Sequence, residues 1–246
     1  ELVHIVNFND LESVEWVCQR YKIAAMITEP ILQNVGVIHP KPGYLDGLRA
    51  LADKYGFVLI IDEVKTGFRH GVGGYCSKVG LRPDLVVYGK ALANGYPIAV
   101  LGGRREIMDL FADPDPSRRV MLAGTYNAHP VPTAAAIATV EKLLGNDGEV
   151  HRHIEAMGER MQQGLESIFQ RLGLGNCGQQ GSAFCIASWI AHLGIGTISL
   201  LIDAILDESM RRDLVERGIY FFPFKPSSAR FHSPIKQRMW ITRWTR

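Results

Sequence analysis

The sequence contains no long apolar run, few cysteines and little net charge. Its 246 residues include no run of about eighteen consecutive apolar residues, so we expect no membrane-spanning helix. The four cysteines form no Cys-x-x-Cys pair, which argues against a disulfide scaffold or a zinc ribbon and suits a reducing compartment. The formal charge of +2 is too small to indicate a nucleic-acid partner. These features favour a cytoplasmic protein that binds neither membranes nor nucleic acids.

The first residues lack a methionine and the basic segment of a secretory signal. We therefore expect the chain to be truncated at its N-terminus. The weak positive charge is also unevenly distributed, because residues 225–246 contain six Lys and Arg residues and no Asp or Glu. Residues 1–224 alone carry a net charge of −4, so the body of the chain is acidic.

Short apolar runs alternate with amphipathic stretches in the first hundred residues. The runs at 23–27, 57–61, 85–88 and 98–101 have the composition of buried strands, and 43–55 has the spacing of a helix. This alternation predicts an α/β fold whose mostly parallel sheet is flanked by helices.

A Gly-Asn-Asp-Gly cluster at 145–148 separates two predicted helices, over 128–144 and 150–172. The cluster predicts a domain boundary. We expect a large domain over residues 1–147 and a smaller α+β domain over residues 148–246.

Polar side chains follow two of the predicted strands. Asp62 and Glu63 follow the run at 57–61, and Lys90 follows the run at 85–88. Ligands of parallel sheets bind beyond the carboxyl ends of the strands, where these residues are expected. A desolvated lysine there can act as a Schiff-base nucleophile, and a nearby acid can pair with a protonated ring nitrogen. Taken singly, an acid or a lysine at a strand end is more often a solvated residue than a site residue, and the pair together favours a site.

Five segments form a recognisable set: Ile23–Pro30, Asn34–Gly36, Asp62–Arg69, Pro83–Lys90 and Gly124–Pro130. Together they resemble the class III aminotransferases, which are pyridoxal-phosphate (PLP) enzymes of fold type I, and in particular their glutamate-1-semialdehyde 2,1-aminomutase branch. The resemblance implies PLP-dependent amino-group transfer on an amino-acid or amino-ketone substrate. It also implies that residues 1–147 are the latter part of the large PLP-binding domain.

The resemblance implies a role for each matched residue. Lys90 would form the Schiff base with PLP and then carry the proton between the substrate α-carbon and the cofactor. Asp62 would pair with the pyridine nitrogen and keep it protonated, so that the ring withdraws electrons.

Further cofactor contacts are implied for four other residues. Val64 would pack on one ring face, although core packing is the alternative for an apolar residue here. Asn34 would hydrogen-bond the phenolic oxygen, a contact that Lys65 puts in doubt because many relatives have glutamine there. Gly124 and Thr125 would bind the phosphate of the neighbouring subunit, which implies a homodimer with shared active sites.

Two features depart from the family pattern. The N-terminal phosphate loop and an aromatic residue that stacks on the ring are missing, so we expect this chain alone to bind PLP poorly. Residues 188–202 and 225–246 read like family sequence only after a displacement of the reading frame. We therefore expect both segments to be out of frame. The alternative to an active enzyme is a truncated, frame-damaged fragment without turnover of its own.

Overall fold

The computed structural model describes residues 2–173, 178–185, 204–220 and 238–243. The described residues fall into two compact units. The first consists of Glu1–Pro30, Pro40–Arg152 and Arg238–Arg246, and the second of Ile31–His39 and His153–Gln237.

A six-stranded sheet forms the centre of the first unit, in the order β1-β8-β2-β3-β4-β5. Its strands are β1 (Val3–Asn7), β2 (Ile23–Thr28), β3 (Val58–Asp62), β4 (Leu85–Tyr88), β5 (Val100–Gly103) and β8 (Arg238–Arg243). Strands β1 to β4 point in one direction, while β5 and β8 run antiparallel to their neighbours. The predicted α/β fold with a mostly parallel sheet is confirmed.

The helices of the first unit connect the strands and cover the sheet. They are α1 (Leu11–Arg20), α2 (Tyr44–Tyr55), α3 (Gly74–Val79), α4 (Arg105–Met108) and α5 (Pro130–Leu144). Helix α2 begins and ends where the sequence predicts, because Gly43 and Gly56 adopt the left-handed conformations, with φ of 77° and 71°, that side chains disfavour.

Two groups of apolar side chains form the core of this unit. Strand and helix residues that are fully buried include Val14, Met26, Leu48, Leu59 and Ile61. A second cluster combines Phe68, Leu92, Ala93, Ala136 and Leu143, and so packs α5 against the turn that follows β4.

The second unit contains the hairpin of β6 (Gly178–Gln180) and β7 (Ala183–Cys185), helix α7 (Ala204–Glu216) and most of α6 (Glu149–Leu172). Phe169 of α6 is buried against Leu165, Phe184 and Met210. Helix α6 also lies very close to the hairpin turn, since a Cβ atom on Gly158 would stand 2.1 Å from the carbonyl oxygen of Gly181.

Two strands differ from the sequence-based expectation. The strand predicted over 98–101 begins later, at Val100, and continues into Gly102 and Gly103, which pair with Val86 and Leu85 in an antiparallel β5. Arg238–Arg243 forms β8 between β1 and β2, although its stretch of the chain was expected to be out of frame. Residues 188–202, and most of 225–246, lie outside the described residues, so the frame hypothesis stays a prediction.

Among the helices described, none is long and apolar enough to cross a membrane.

Candidate active site

The carboxyl ends of β3 and β4 lie side by side at one edge of the sheet. The strands are parallel, and Asp62 at the end of β3 is paired with Val87 of β4. Lys90 follows β4 by two residues. Asp62 and Lys90, which the sequence singled out separately, are therefore brought to the same edge of the sheet.

Asp62 is half-buried, and one of its carboxylate oxygens accepts a hydrogen bond within the turn that follows β3. Its Oδ1 accepts a hydrogen bond of 2.9 Å from the backbone N–H of Val64. The other carboxylate oxygen has no hydrogen-bond partner among the described residues. Asp62 is thus oriented through one oxygen and can bind a cationic group through the other.

Lys90 begins a short 3₁₀ turn, Lys90–Leu92, directly after β4. Its backbone has a φ of 42°, which is unfavourable for a residue with a side chain. Burial of Leu92 and Ala93 in the cluster with α5 holds the turn in place. The Lys90 side chain is exposed, rather than desolvated as the sequence suggested, and it has no ion-pair partner in the described part of the chain.

Val64 lies against the backbone that precedes Lys90. A Cβ atom placed on Gly89 would be 3.4 Å from Cγ1 of Val64, an ordinary van der Waals distance. Gly89 is itself buried. The structure therefore groups Asp62, Val64 and Lys90 around the ends of two adjacent strands.

Glu63 is a site residue whose environment the sequence did not reveal. It was expected at a solvated strand end, but it is fully buried. Its carboxylate accepts hydrogen bonds from the Thr66 hydroxyl at 2.7 Å and from the backbone N–H groups of Tyr75 and Cys76 at 2.9 and 2.7 Å. Near Glu63 in the sequence, only Thr66, three residues later, indicates a hydrogen-bond donor for a buried carboxylate. The two backbone donors of α3 lie twelve and thirteen residues after Glu63.

The electrostatic effect of Glu63 reaches its neighbours. Burial is the main cause that raises the pKa of Tyr88 to about 12, and the negative charge of Glu63 adds to it. The pKa of the Cys76 thiol is raised by burial first and then by the same charge. Burial is therefore the first cause of both shifts, and the enclosed carboxylate of Glu63 is the second.

The remaining predicted residues lie elsewhere. Asn34 is in the second unit, in an exposed turn that is closed by the bridge between Leu32 and Ile38. Gly124 and Thr125 are in an exposed turn before α5, in which Asn127 donates its N–H to the carbonyl of Gly124. No hydrogen bond links this turn to Asp62 or Lys90 in the described part of the chain.

Comparison with known proteins identifies the family of the chain. The family model for aminotransferase class III matches residues 4–234. The chain belongs to this family. It is 37% identical over 230 residues to a glutamate-1-semialdehyde 2,1-aminomutase of Ignicoccus hospitalis, a match that covers 91% of this chain and 52% of that protein.

Solved structures show the same relationship. A glutamate-1-semialdehyde-aminomutase from Pseudomonas aeruginosa PAO1, in complex with PMP, superposes with a TM-score of 0.77 at 28% identity, over 90% of this chain and 50% of that one. A transaminase with PLP bound gives a TM-score of 0.75 at 29% identity, again over 90% and 50%. The fold type I assignment is confirmed, and the chain spans about half the length of the relatives it matches.

Proposed function

We propose that this class III aminotransferase chain serves PLP-dependent amino-group transfer, as a transaminase or as a glutamate-1-semialdehyde aminomutase. The observation that carries the proposal is the placement of Asp62 and Lys90 at the ends of adjacent parallel strands. Relatives named as aminomutases, and neighbours solved with PLP or PMP, support the same chemistry.

The residues present fit such a cofactor. Asp62 offers a carboxylate oxygen that is not used within the described chain, and the exposed Lys90 offers an amine that is not held in an ion pair. When bound, PLP supplies a reactive aldehyde and an electron-withdrawing pyridine ring. An anion for the ring nitrogen and an amine for the aldehyde are the two groups that this chemistry requires.

Each residue then has a defined task. Asp62 would bind the protonated ring nitrogen, and its negative charge would favour that protonation state. Nζ of Lys90 would hold the cofactor through its aldehyde and, when free, would carry a proton to and from the reacting carbon. Val64, which packs beside Gly89, would shield one face of the ring from water.

The outlying residues extend the proposal. Asn34 would contact the phenolic oxygen, while Gly124 and Thr125 would bind the phosphate of a neighbouring subunit in a homodimer. Exposed apolar side chains around this turn, at Met121, Leu122 and Tyr126, support burial against a second copy. The substrate would be an amino acid or amino ketone.

Covalent labelling tests the role of Lys90. Because we expect this chain alone to bind PLP poorly, it is incubated with an excess of PLP, reduced with borohydride and analysed by peptide mass spectrometry. We expect the pyridoxal group on Lys90, its loss in Lys90→Ala, and its retention in Lys142→Ala, which removes an exposed lysine of α5. Equal labelling of many lysines, or an unchanged spectrum of PLP with Lys90→Ala, would contradict the assignment.

The second candidate is a truncated, frame-damaged fragment of such an enzyme that has no turnover of its own. The chain spans about half the length of the relatives it matches. Amino-donor consumption by the unreduced chain, supplied with PLP and an amino acceptor, separates the two, because only an enzyme consumes the donor over many turnovers. We also propose a cytoplasmic location, in keeping with free thiols at Cys18, Cys76 and Cys185.

A further inference from the structure

Glu63 connects three elements around the proposed cofactor site. Its side chain reaches the N–H groups of Tyr75 and Cys76 in the first turn of α3. Its backbone N–H donates to Val87 of β4 at 2.9 Å, and its carbonyl accepts from Gly67 at 2.7 Å. Strand β3, strand β4 and helix α3 are therefore all joined at one residue.

The carboxylate has no cationic partner in the described part of the chain. A buried charge without an ion pair is unfavourable unless oriented donors replace its water. Here the donors are the Thr66 hydroxyl, which is also fully buried, and two backbone N–H groups. Such an arrangement holds only if the donors keep their positions, so the carboxylate restrains the segments that carry them.

The surrounding chain fits closely around Glu63. A Cβ atom on Gly74 would lie 2.7 Å from Oε1 of Glu63, and one on Gly67 would lie 2.7 Å from its carbonyl oxygen and 2.5 Å from the Tyr88 ring. Both glycines are thus required for the close approach of α3 and of the turn to Glu63. Asp62, the last residue of β3, and Val64 lie on either side of Glu63, in the turn that Gly67 closes.

We propose that Glu63 is a positioning residue, which fixes the turn at 62–67 so that Asp62 and Val64 face the strand end that carries Lys90. The proposal rests on the function proposed above, since the affected ligand is PLP. The Glu63 side chain is fully buried and its carboxylate is bonded within the protein, so we assign it no direct contact with the cofactor. It acts through Asp62, whose backbone it follows directly, and through Val64 on its other side.

The test compares Glu63→Gln with Asp84→Asn in the same chain. Asp84 is a buried carboxylate at the opposite end of β4, and it accepts the N–H of Leu59 at 2.8 Å. Glu63→Gln keeps size and shape but turns an NH₂ group toward an N–H donor. We expect its dissociation constant for PLP, measured by absorbance titration, to rise about tenfold, as for other partners that orient a ligand-binding group. Asp84→Asn should stay within about twofold of the parent chain in PLP affinity while losing stability in urea.

Amide hydrogen exchange provides a readout that does not need the cofactor. Glu63→Gln should speed exchange in the peptides covering 62–67 and 74–77 more than in the rest of the sheet, whereas Asp84→Asn, which destabilises the sheet as a whole, should show no such local excess. Thr66→Val, which removes one donor only, should give a smaller change of the same kind and serves if Glu63→Gln does not fold. If the parent chain fails to bind PLP, the proposed function fails for this chain. The hydrogen-exchange data then decide by themselves whether Glu63 fixes the turn at 62–67. Unchanged exchange at 62–67, or an equal loss of PLP affinity in Asp84→Asn, would overturn the positioning role.

Discussion

Replacing Asp84 by Asn should destabilise the sheet that carries the site. Asp84 is 4% exposed, and its carboxylate binds Arg49 at 2.9 Å and Arg104 at 3.1 Å in addition to the N–H of Leu59. Arg104 is 59% exposed, so its ion pair contributes less than about 1 kcal/mol. The Arg49 pair is mostly buried, and breaking such a pair costs about 3–5 kcal/mol.

The expected loss is smaller than that upper range. Asn can still accept the N–H of Leu59, and Arg49 keeps its second carboxylate partner, Asp53, at 2.7 Å. We therefore expect Asp84→Asn to lower the free energy of unfolding by about 2–3 kcal/mol at pH 7. Asp53→Asn is the matched control: Asp53 pairs with the same arginine but is 69% exposed, so the loss should be under about 0.5 kcal/mol.

The contribution of the Asp84 carboxylate to stability should depend on pH in a definite direction. Burial alone would raise the pKa of Asp84, but the hydrogen bonds from Leu59, Arg49 and Arg104 outweigh burial and hold this pKa below its ordinary value. The carboxylate therefore stabilises the fold above its unfolded-state pKa, and the effect is lost as the pH falls through the lower native pKa. Urea unfolding from pH 7 to pH 3 should show the parent chain and Asp84→Asn converging. A gap that is constant, or that widens on acidification, would refute this explanation.

Two other predictions concern packing and thiol chemistry. Gly158→Ala should lower the stability of the second unit by about 1–3 kcal/mol, because the new Cβ would meet the Gly181 carbonyl. Gly164→Ala should raise this stability by up to about 1 kcal/mol, because there is open space around Gly164 and alanine favours the helix. Urea unfolding measures both changes. Cys18 and Cys76 should resist alkylation at pH 8 in the folded chain. Burial raises the pKa of Cys18 to about 11, and burial also raises the pKa of Cys76, so both thiols stay protonated. Mass spectrometry after iodoacetamide treatment, with and without urea, checks this, and rapid labelling without urea would contradict it.

Much of the parallel sheet could be predicted from local sequence. The apolar runs that became β2, β3 and β4 are short, continuous and bounded by Gly, Pro or charged residues, so the local sequence is enough to predict three strands with no exposed residue. The position of Asp62 and Lys90 at one edge then follows from the shared direction of the strands.

Other features depend on contacts between distant segments. The burial of Glu63 requires N–H donors from α3, which no pattern around residue 63 reveals. The assignment of Ile31–His39 to the second unit, and the insertion of β8 into the sheet, likewise depend on segments far along the chain. The periodicity of a sequence indicates whether a segment is a helix or a strand, but not which distant segment it contacts. These three contacts were therefore not predicted.

The position of β8 has a consequence for how the chain folds. Val3 of β1 pairs with Thr242 of β8, so this contact closes a loop of almost the whole chain. Contacts of such high sequence separation form slowly because the entropy of loop closure is lost before they form. Until β8 docks, the facing edges of β1 and β2 present unpaired N–H and C=O groups, which are sites of strand-to-strand aggregation. Refolding yield should therefore fall steeply as the protein concentration rises.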